Sequence, residues 1–477
     1  MRNFLAFFIC LLLLSGIITS GCTDENNYSG QGPKLRFSQD TLSFDTLFST
    51  IGSTTAWLKI VNTDNKEIVL SRVSLKSGGE SGFHINLDGE NGTVFEDVPI
   101  AAGDSLFLFV ELTTKVQNSD KPVLIEDAVL FDDGTNQQQI VLQAYSWNAT
   151  IWHGKTIKSD TTLTANRPYL IYDSLVVAEN VTLNIAEGVN LHFHDGAYVK
   201  VYGSINAKGS AAAPITFRGD RLDDMLVDFP YDYYPGQWYF IRLTGSSFNN
   251  VWDHVNIRGG YYGVVVDSSS VDQVKLKLTN SVIHNMVYSC IWSVNSNLSV
   301  ENSQISNSGG YTVCLIGGNV DFTHCTIVNY QQLVTRDGPA LVVTNFLTDS
   351  QEREIPYPLI SKFTNTIVYG SLSSELGIAL SENKNVAGHV FFRNCMLKSA
   401  EELSSTYSEN CIYPKEPHFV RLGTFEDKYI YDFRIDSISP ARNKAILINE
   451  EIYLHDMNGI SRTTDGVPDI GAYEYNK

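Results

Sequence analysis

Cations are scarce in this chain of 477 residues: 34 Lys and Arg stand against 53 Asp and Glu, a formal net charge of −19. That balance excludes a nucleic-acid partner, because phosphate contacts need clustered cations. Cysteine is sparse too, at 7 residues with no CxxC pair. Setting aside Cys10 and Cys22 near the N-terminus leaves five: Cys290, Cys314, Cys325, Cys395 and Cys411. An odd number without metal-ligand spacing excludes a disulfide framework or zinc site and predicts buried free thiols. After the N-terminal segment no apolar run approaches membrane-spanning length. What is present points to β structure. Hydrophobic residues make up 43%, ample for a core, and aromatics 11%, with 24 Tyr, 24 Phe and 35 Gly. This balance favours strands over helices. At roughly 100–200 residues per domain, the length predicts two to four domains.

The N-terminus reads as an address. Arg2 precedes an apolar run from Phe4 to Leu14, and small residues follow up to Gly21. A short basic end, a short apolar stretch and a small-residue cut site predict a secretory signal over 1–21. Ser20-Gly21-Cys22 resembles the bacterial lipoprotein lipobox, with Thr19 where that pattern prefers Leu. The resemblance implies cleavage before Cys22 and acylation of its thiol and new amino group, and several acyl chains hold a protein firmly to a membrane. Thr23-Asp24-Glu25-Asn26-Asn27 resembles the surface-export signal of Bacteroidetes lipoproteins, implying an outer-membrane protein that faces outwards. Residues 22–32 are polar and Gly-rich, a tether.

From 33 to 148 short apolar runs alternate with turn formers. Ala56–Val61, Glu67–Leu70, Ser105–Val110 and Gln139–Leu142 read as strands. Asp64-Asn65, Gly78-Gly79, Gly103-Asp104 and Asp132-Asp133-Gly134 separate them, which predicts an antiparallel sandwich. Phe44-Asp45-Thr46, Val61-Asn62 and Gly103-Asp104-Ser105 resemble immunoglobulin-like domains of the Hydin type, implying a spacer or docking module.

The remainder carries a period. The frame apolar-x-Asn-x-x-apolar starts at Leu278, recurs at Val300 and, with His324 in the Asn place, at Phe322: steps of 22 residues. It returns at Phe363 and Phe392, less well at Val343, and upstream at Trp252. A period of 20–30 residues without helical periodicity predicts stacked strand coils, a right-handed parallel β-helix over 149–437. Asn280, Asn302, Asn365 and Asn394 would then stack at one corner, since Asn tolerates the left-handed backbone that a tight corner needs. Cys325 and Cys395, one place on, belong to the core if the corner turns them inwards. The runs around Val181–Ile185 and Tyr198–Gly203 resemble the opening coils of bacterial β-helix proteins. Ser439–Arg442, Asp456–Gly459, Arg462 and Asp469–Tyr475 resemble the choice-of-anchor Q ending, with Arg442–Ala445 departing from its usual residues. That resemblance implies an extracytoplasmic β-helix with a C-terminal capping segment over 438–477.

Chemistry is harder to find. The carboxylate set of β-helix pectin hydrolases, Asn-x-Asp with Asp-Asp and Gly-His-Gly, is absent as a set. A lyase needs a base and a cation beside a uronate carboxylate. Lys275 and Lys277, alternating with apolar residues and so pointing outwards, together with Arg258 and His254, form a candidate constellation. Asp223, Asp224, Asp228 and Asp232 are candidate calcium ligands; no other cofactor is indicated. The pair His192-x-His194 reads as a solvated strand face. The strongest binding feature is aromatic: residues 228–240 interrupt the coils with Tyr231, Tyr233, Tyr234 and Trp238, and Tyr261 and Tyr262 follow one coil later. Their rings could stack on sugars or pack on the helix flank. The sequence thus predicts a lipid-anchored module that binds a polysaccharide or an envelope protein. A uronate-specific lyase and a purely structural component are its alternatives. Oligomeric state is not encoded in any of these features.

Overall fold

The computed structural model describes residues 35–226, 229–464 and 466–476. The signal, Cys22 and the tether lie outside the described residues, as does Asp228. The chain forms two compact units, divided between Trp147 and Asn148. It is all-β: an immunoglobulin-like sandwich followed by a parallel β-helix.

The sandwich has two five-stranded sheets. One runs in the order Leu35–Phe37, Ala56–Asn62, Ser105–Leu112, Phe83–Leu87 and Glu90–Gly92. The other runs Thr41–Phe48, Gln137–Trp147, Val123–Asp132, Ile68–Leu75 and Val94–Ile100. Pairing is antiparallel, except that Thr41–Phe48 lies parallel to Gln137–Trp147. Period-two alternation turns Leu58, Ile60, Leu108 and Val110 inwards, sharing a core with Val129, Phe131, Ile140 and Leu142. Asn62 is fully buried, and its Nδ2 donates to the carbonyls of Lys66 (2.8 Å) and Ile100 (2.9 Å). One amide thus ties two turns together without a buried polar atom left over.

The second unit is one 25-stranded sheet wound into coils. Three columns of parallel strands stack upwards. In the first, Leu183 pairs with Ile205, and further along Lys277 pairs with Ser299 and Ser299 with Asp321. In the second, His192 pairs with Arg218, and later Arg258 with His284 and His284 with Ser306. The third runs through Val199, Ile241, Val264, Ile291 and Val313. Each coil rises about 4.8 Å, the strand spacing of any sheet. Inward positions fill a continuous core in which rings stack coil on coil, Phe322 on Phe363 at 5.4 Å and Phe363 on Phe392 at 4.6 Å.

The corner between the first two columns is the predicted ladder. His254, Asn280, Asn302, His324, Asn365, Asn394 and Asn410 all adopt left-handed backbone, with φ between 48° and 53°. Ser281, Ser303, Cys325, Thr366 and Cys395 follow them inwards. Asn345 is not part of the ladder. It leaves the third column, and its Oδ1 accepts from the Ser381 amide at 2.6 Å. An antiparallel hairpin, Phe346–Thr348 with Glu354–Pro356, is inserted there.

The C-terminal segment does not sit over an end of the coils. It lies along their flank, because the ladder side chains offer a row of hydrogen-bonding groups. Asn394 Nδ2 donates to Lys444 O, Asn365 Nδ2 to Ile446 O, and Asn302 Nδ2 to His455 O. Beneath it the second column is apolar outside as well as inside: Val328, Ile367, Tyr369 and Met396 meet Phe433, Ile435, Ala441, Ile470, Ala472 and Tyr473 in a second core. At its centre the fully buried Arg462 bonds Glu474 Oε1, Asn302 Oδ1 (both 2.6 Å) and Gly471 O (3.2 Å).

Candidate functional site

Outward positions of the second column carry His192, Arg218, Arg258 and His284 on successive coils. Such a row should face water on a bare strand. Here the insertion between Gly219 and Trp238 folds back over it. Asp232 Oδ1 lies 3.0 Å from Arg218 Nε and 2.8 Å from Arg258 Nε. Burial pushes the Asp232 carboxyl up, but the two guanidiniums outweigh it and hold it below the ordinary carboxylate range. Gln237 Nε2 staples the insertion by donating to Tyr231 O and Tyr234 O, and Asn285 Nδ2 donates to Tyr233 O. Arg221 pairs with Asp223 and lies 4.0 Å over the Tyr231 ring.

His192 is therefore buried rather than solvated, which corrects the reading of the His192-x-His194 pair; His194 stays exposed and meets Asp220 Oδ2 at 2.7 Å. Burial, and then the charge of Arg218, pushes His192 down to about 3. Burial and Arg258 push His284 to about 4. Both imidazoles protonate near 6.5 in the unfolded chain but resist protonation in the folded one, so the unfolded state binds more protons between those limits. Their contribution to stability is complete above about pH 6.5 and is lost as pH falls towards about 4 for His284 and about 3 for His192, at up to roughly 1 kcal/mol per pH unit each. Thermal melts between about pH 7 and about pH 5 should show this slope, and His192→Leu should flatten it. An unchanged slope in that variant would refute the assignment.

The aromatic candidates divide. Trp238 is not available to a ligand: it is fully buried, stacked on Phe193 at 4.5 Å, with Nε1 donating to Arg258 O. Its bridge to Gly260 makes it the first residue of the next coil, which turns the indole inwards. Tyr231, Tyr233 and Tyr234 are half-buried in the stapled insertion. Tyr261 and Tyr262 are joined by two rings that were not singled out in the sequence, Tyr239 and Tyr288. Tyr239 packs against Tyr261 at 5.6 Å, and Tyr288 against Tyr261 at 5.9 Å and Tyr262 at 5.1 Å. Phe240 continues the row beside Tyr239 and Tyr198. Tyr239 and Tyr288 keep 44% and 49% of their surface exposed. The strip exists because Tyr262 N bonds Tyr239 O and Tyr288 N bonds Tyr261 O, so equivalent corner positions stack. Alignment of Gly260-Tyr261 with Val287-Tyr288 would have revealed it.

The lyase constellation is not assembled. Lys275 does not point into solvent; it is fully buried, its Nζ donates to Asp267 O at 2.8 Å beside the Phe248 ring, and burial lowers it to about 8. Lys277 is on the first column, 3.2 Å from Glu301. Arg258 is on the second column, held by Asp232, and His254 is at the corner between them, 3.1 Å from Asp253. Two of the three described calcium candidates are already engaged by arginines. Asp223 serves Arg221, Asp232 serves two arginines, and Asp224 lies exposed in a short hairpin strand. Among the described residues no three His, Cys, Asp or Glu side chains are placed to hold a metal ion.

Comparison with known proteins finds no matching family model and no matching curated protein. Among solved structures, the chain is similar to the ASH/PapD-like domain 7 of human CEP192, at 11% identity over 24% of this chain and 84% of that one, TM-score 0.16. It is similar to a family 123 glycoside hydrolase from Clostridium perfringens at 8% identity, covering 24% of this chain and 26% of that one, TM-score 0.17. The catalytic unit of the GH87 alpha-1,3-glucanase of Streptomyces thermodiastaticus strain HF3-3 is similar at 12% identity, covering 75% and 86%, TM-score 0.25. With TM-scores this low, the fold rests on the strand pairing above and the site on its own geometry.

The strip offers flat, amphipathic rings with hydroxyls at their edges, repeating from coil to coil. The arginines that could neutralise an anionic ligand are already paired with Asp232.

Proposed function

We propose that this is a lipid-anchored cell-envelope protein whose β-helix binds a polysaccharide along the strip formed by Tyr239, Tyr261, Tyr262 and Tyr288. The observation that carries the reading is the exposure of Tyr239 and Tyr288 on stacked corners, where burial would otherwise be expected for large rings. Rings that repeat along the coil axis match a ligand that itself repeats. The anchor is proposed at Cys22, with the chain facing outwards. Dispersal of the four lyase candidates over different faces counts against the catalytic alternative.

Affinity electrophoresis through gels containing plant, algal and host polysaccharides tests the reading. Tyr239→Ala with Tyr288→Ala should weaken retention about tenfold or more, the value of two lost stacking contacts. Tyr233→Ala, in the stapled insertion, should change it little. Retention that survives the double substitution would remove the strip from consideration. Cys22→Ser should release the protein from the membrane fraction, and protease shaving of intact cells should degrade the parent protein.

A further inference from the structure

The sandwich carries an exposed aromatic face of its own. Strand register places Trp57, Phe109, Asn86 and Asn91 side by side on the outer face of one sheet, across four strands. The row on one side is Glu111 and His84; on the other it is Lys59 and Phe107. Trp57, Phe107 and Phe109 keep 54%, 38% and 37% of their surface exposed. Trp57 meets Phe107 edge-on at 5.7 Å, and Phe107 and Phe109 lie nearly parallel at 6.2 Å, so the three form one platform. Beside it is a cavity of about 290 Å³ lined by Thr55, His84, Asn86, Asn91, Phe109 and Glu111.

The polar side of this cavity is ordered. Asn86 Nδ2 donates to Asn91 Oδ1 at 2.8 Å, Asn86 Oδ1 accepts from Gly89 N, and Thr55 Oγ1 donates to Glu111 Oε1. An aromatic wall beside fixed amides and a carboxylate is complementary to a ring with one apolar face and a rim of hydroxyls. No Lys or Arg is among the residues that line the cavity, and its one acidic group, Glu111, would repel an anion. We infer that the sandwich carries its own binding site for a neutral glycan, with Phe109 and Trp57 stacking on pyranose rings and Asn86, Asn91 and Glu111 bonding their hydroxyls. The site is independent of the tyrosine strip.

The test uses the full chain in a Tyr239→Ala, Tyr288→Ala background, so that strip binding is removed. Calorimetric titration with cellohexaose, xylohexaose, mannohexaose and laminarihexaose, with hexagalacturonate as the charged control, should show binding of at least one neutral hexaose. Phe109→Ala should weaken it about tenfold, and Asn91→Ala should weaken it in the same direction. Unchanged melting temperatures would show that these exposed positions leave the fold intact. Binding that survives both Phe109→Ala and Trp57→Ala, binding only of hexagalacturonate, or no binding to any of the four neutral hexaoses would each overturn the site. So would a concentration-dependent dimer that Trp57→Ala converts to monomer, because it would give the platform to a second copy. Failure of the strip alone has a different signature: parent and background would bind equally, and Phe109→Ala would still weaken that binding about tenfold.

Discussion

Arg462→Ala should destabilise the protein by about 3–5 kcal/mol, the usual cost of removing one partner from a buried ion pair. Arg462 is fully buried, and burial lowers its pKa even beside Glu474. Its loss strands the Glu474 carboxylate, which otherwise accepts from Arg462 Nη1 and from the Asp469 amide. It also frees Asn302 Oδ1, so one truncation unseats the C-terminal segment and a rung of the ladder together. Urea unfolding monitored by fluorescence measures the effect, and limited proteolysis should cut the variant first between about residues 440 and 476. Glu474→Gln in the Arg462→Ala background should recover part of the loss, because the stranded charge then disappears. A loss below about 1 kcal/mol would show that the pair is solvated and that the tail is held by its apolar contacts alone.

Asn365→Ala should cost about 3 kcal/mol, from two separable sources. The residue sits at φ 51°, where a Cβ costs roughly 1–2 kcal/mol unless a short polar side chain compensates. Its amide also donates to Ile446 O at 2.8 Å, accepts from Ile446 N at 2.9 Å and lies 2.9 Å from His324 Nε2. Asn365→Gly removes the conformational penalty and keeps the lost hydrogen bonds, so it should be the milder substitution by about 1 kcal/mol. Equal effects of Ala and Gly in urea unfolding would mean that the left-handed corner contributes nothing.

The ladder was legible in the sequence because one geometric demand repeats. A corner that needs left-handed backbone accepts few side chains, so Asn recurs at 280, 302, 365, 394 and 410, and His324 and His254 fill the same place with φ 52° and 49°. The core positions of Cys325 and Cys395 followed from that frame. What covers the coils was not legible. Alternation correctly put Leu276 and Leu278 inside, yet it made Lys275 an exposed residue, because the Phe248 ring and the Asp267 carbonyl that enclose it come from other parts of the chain. His192 was misread for the same reason, since its cover is an insertion folding back. One sequence signal did exist. Thr326-Ile327-Val328 and Ile367-Val368-Tyr369 break the alternation with adjacent apolar residues, the mark of strands buried on both faces. The proposed strip was half legible: Tyr261 and Tyr262 stood out in the sequence, Trp238 lies in the core, and Tyr239 and Tyr288 needed the coil register to be seen as their neighbours.

The grip of the C-terminal segment also sets an order of events. Arg462 reaches Asn302 across 160 residues and Tyr473 reaches Gln304 across 169, whereas neighbouring coils mostly bond across little more than 20. Coils can therefore zip up locally as they are made, while the outer apolar side of their later rungs stays wet until the last stretch arrives. Closing such long loops is slow, and bare apolar strands invite self-association in the interval. Refolding should accordingly show a late phase, seen by proteolysis of residues near 440–476, that lags behind the burial of the inner rings.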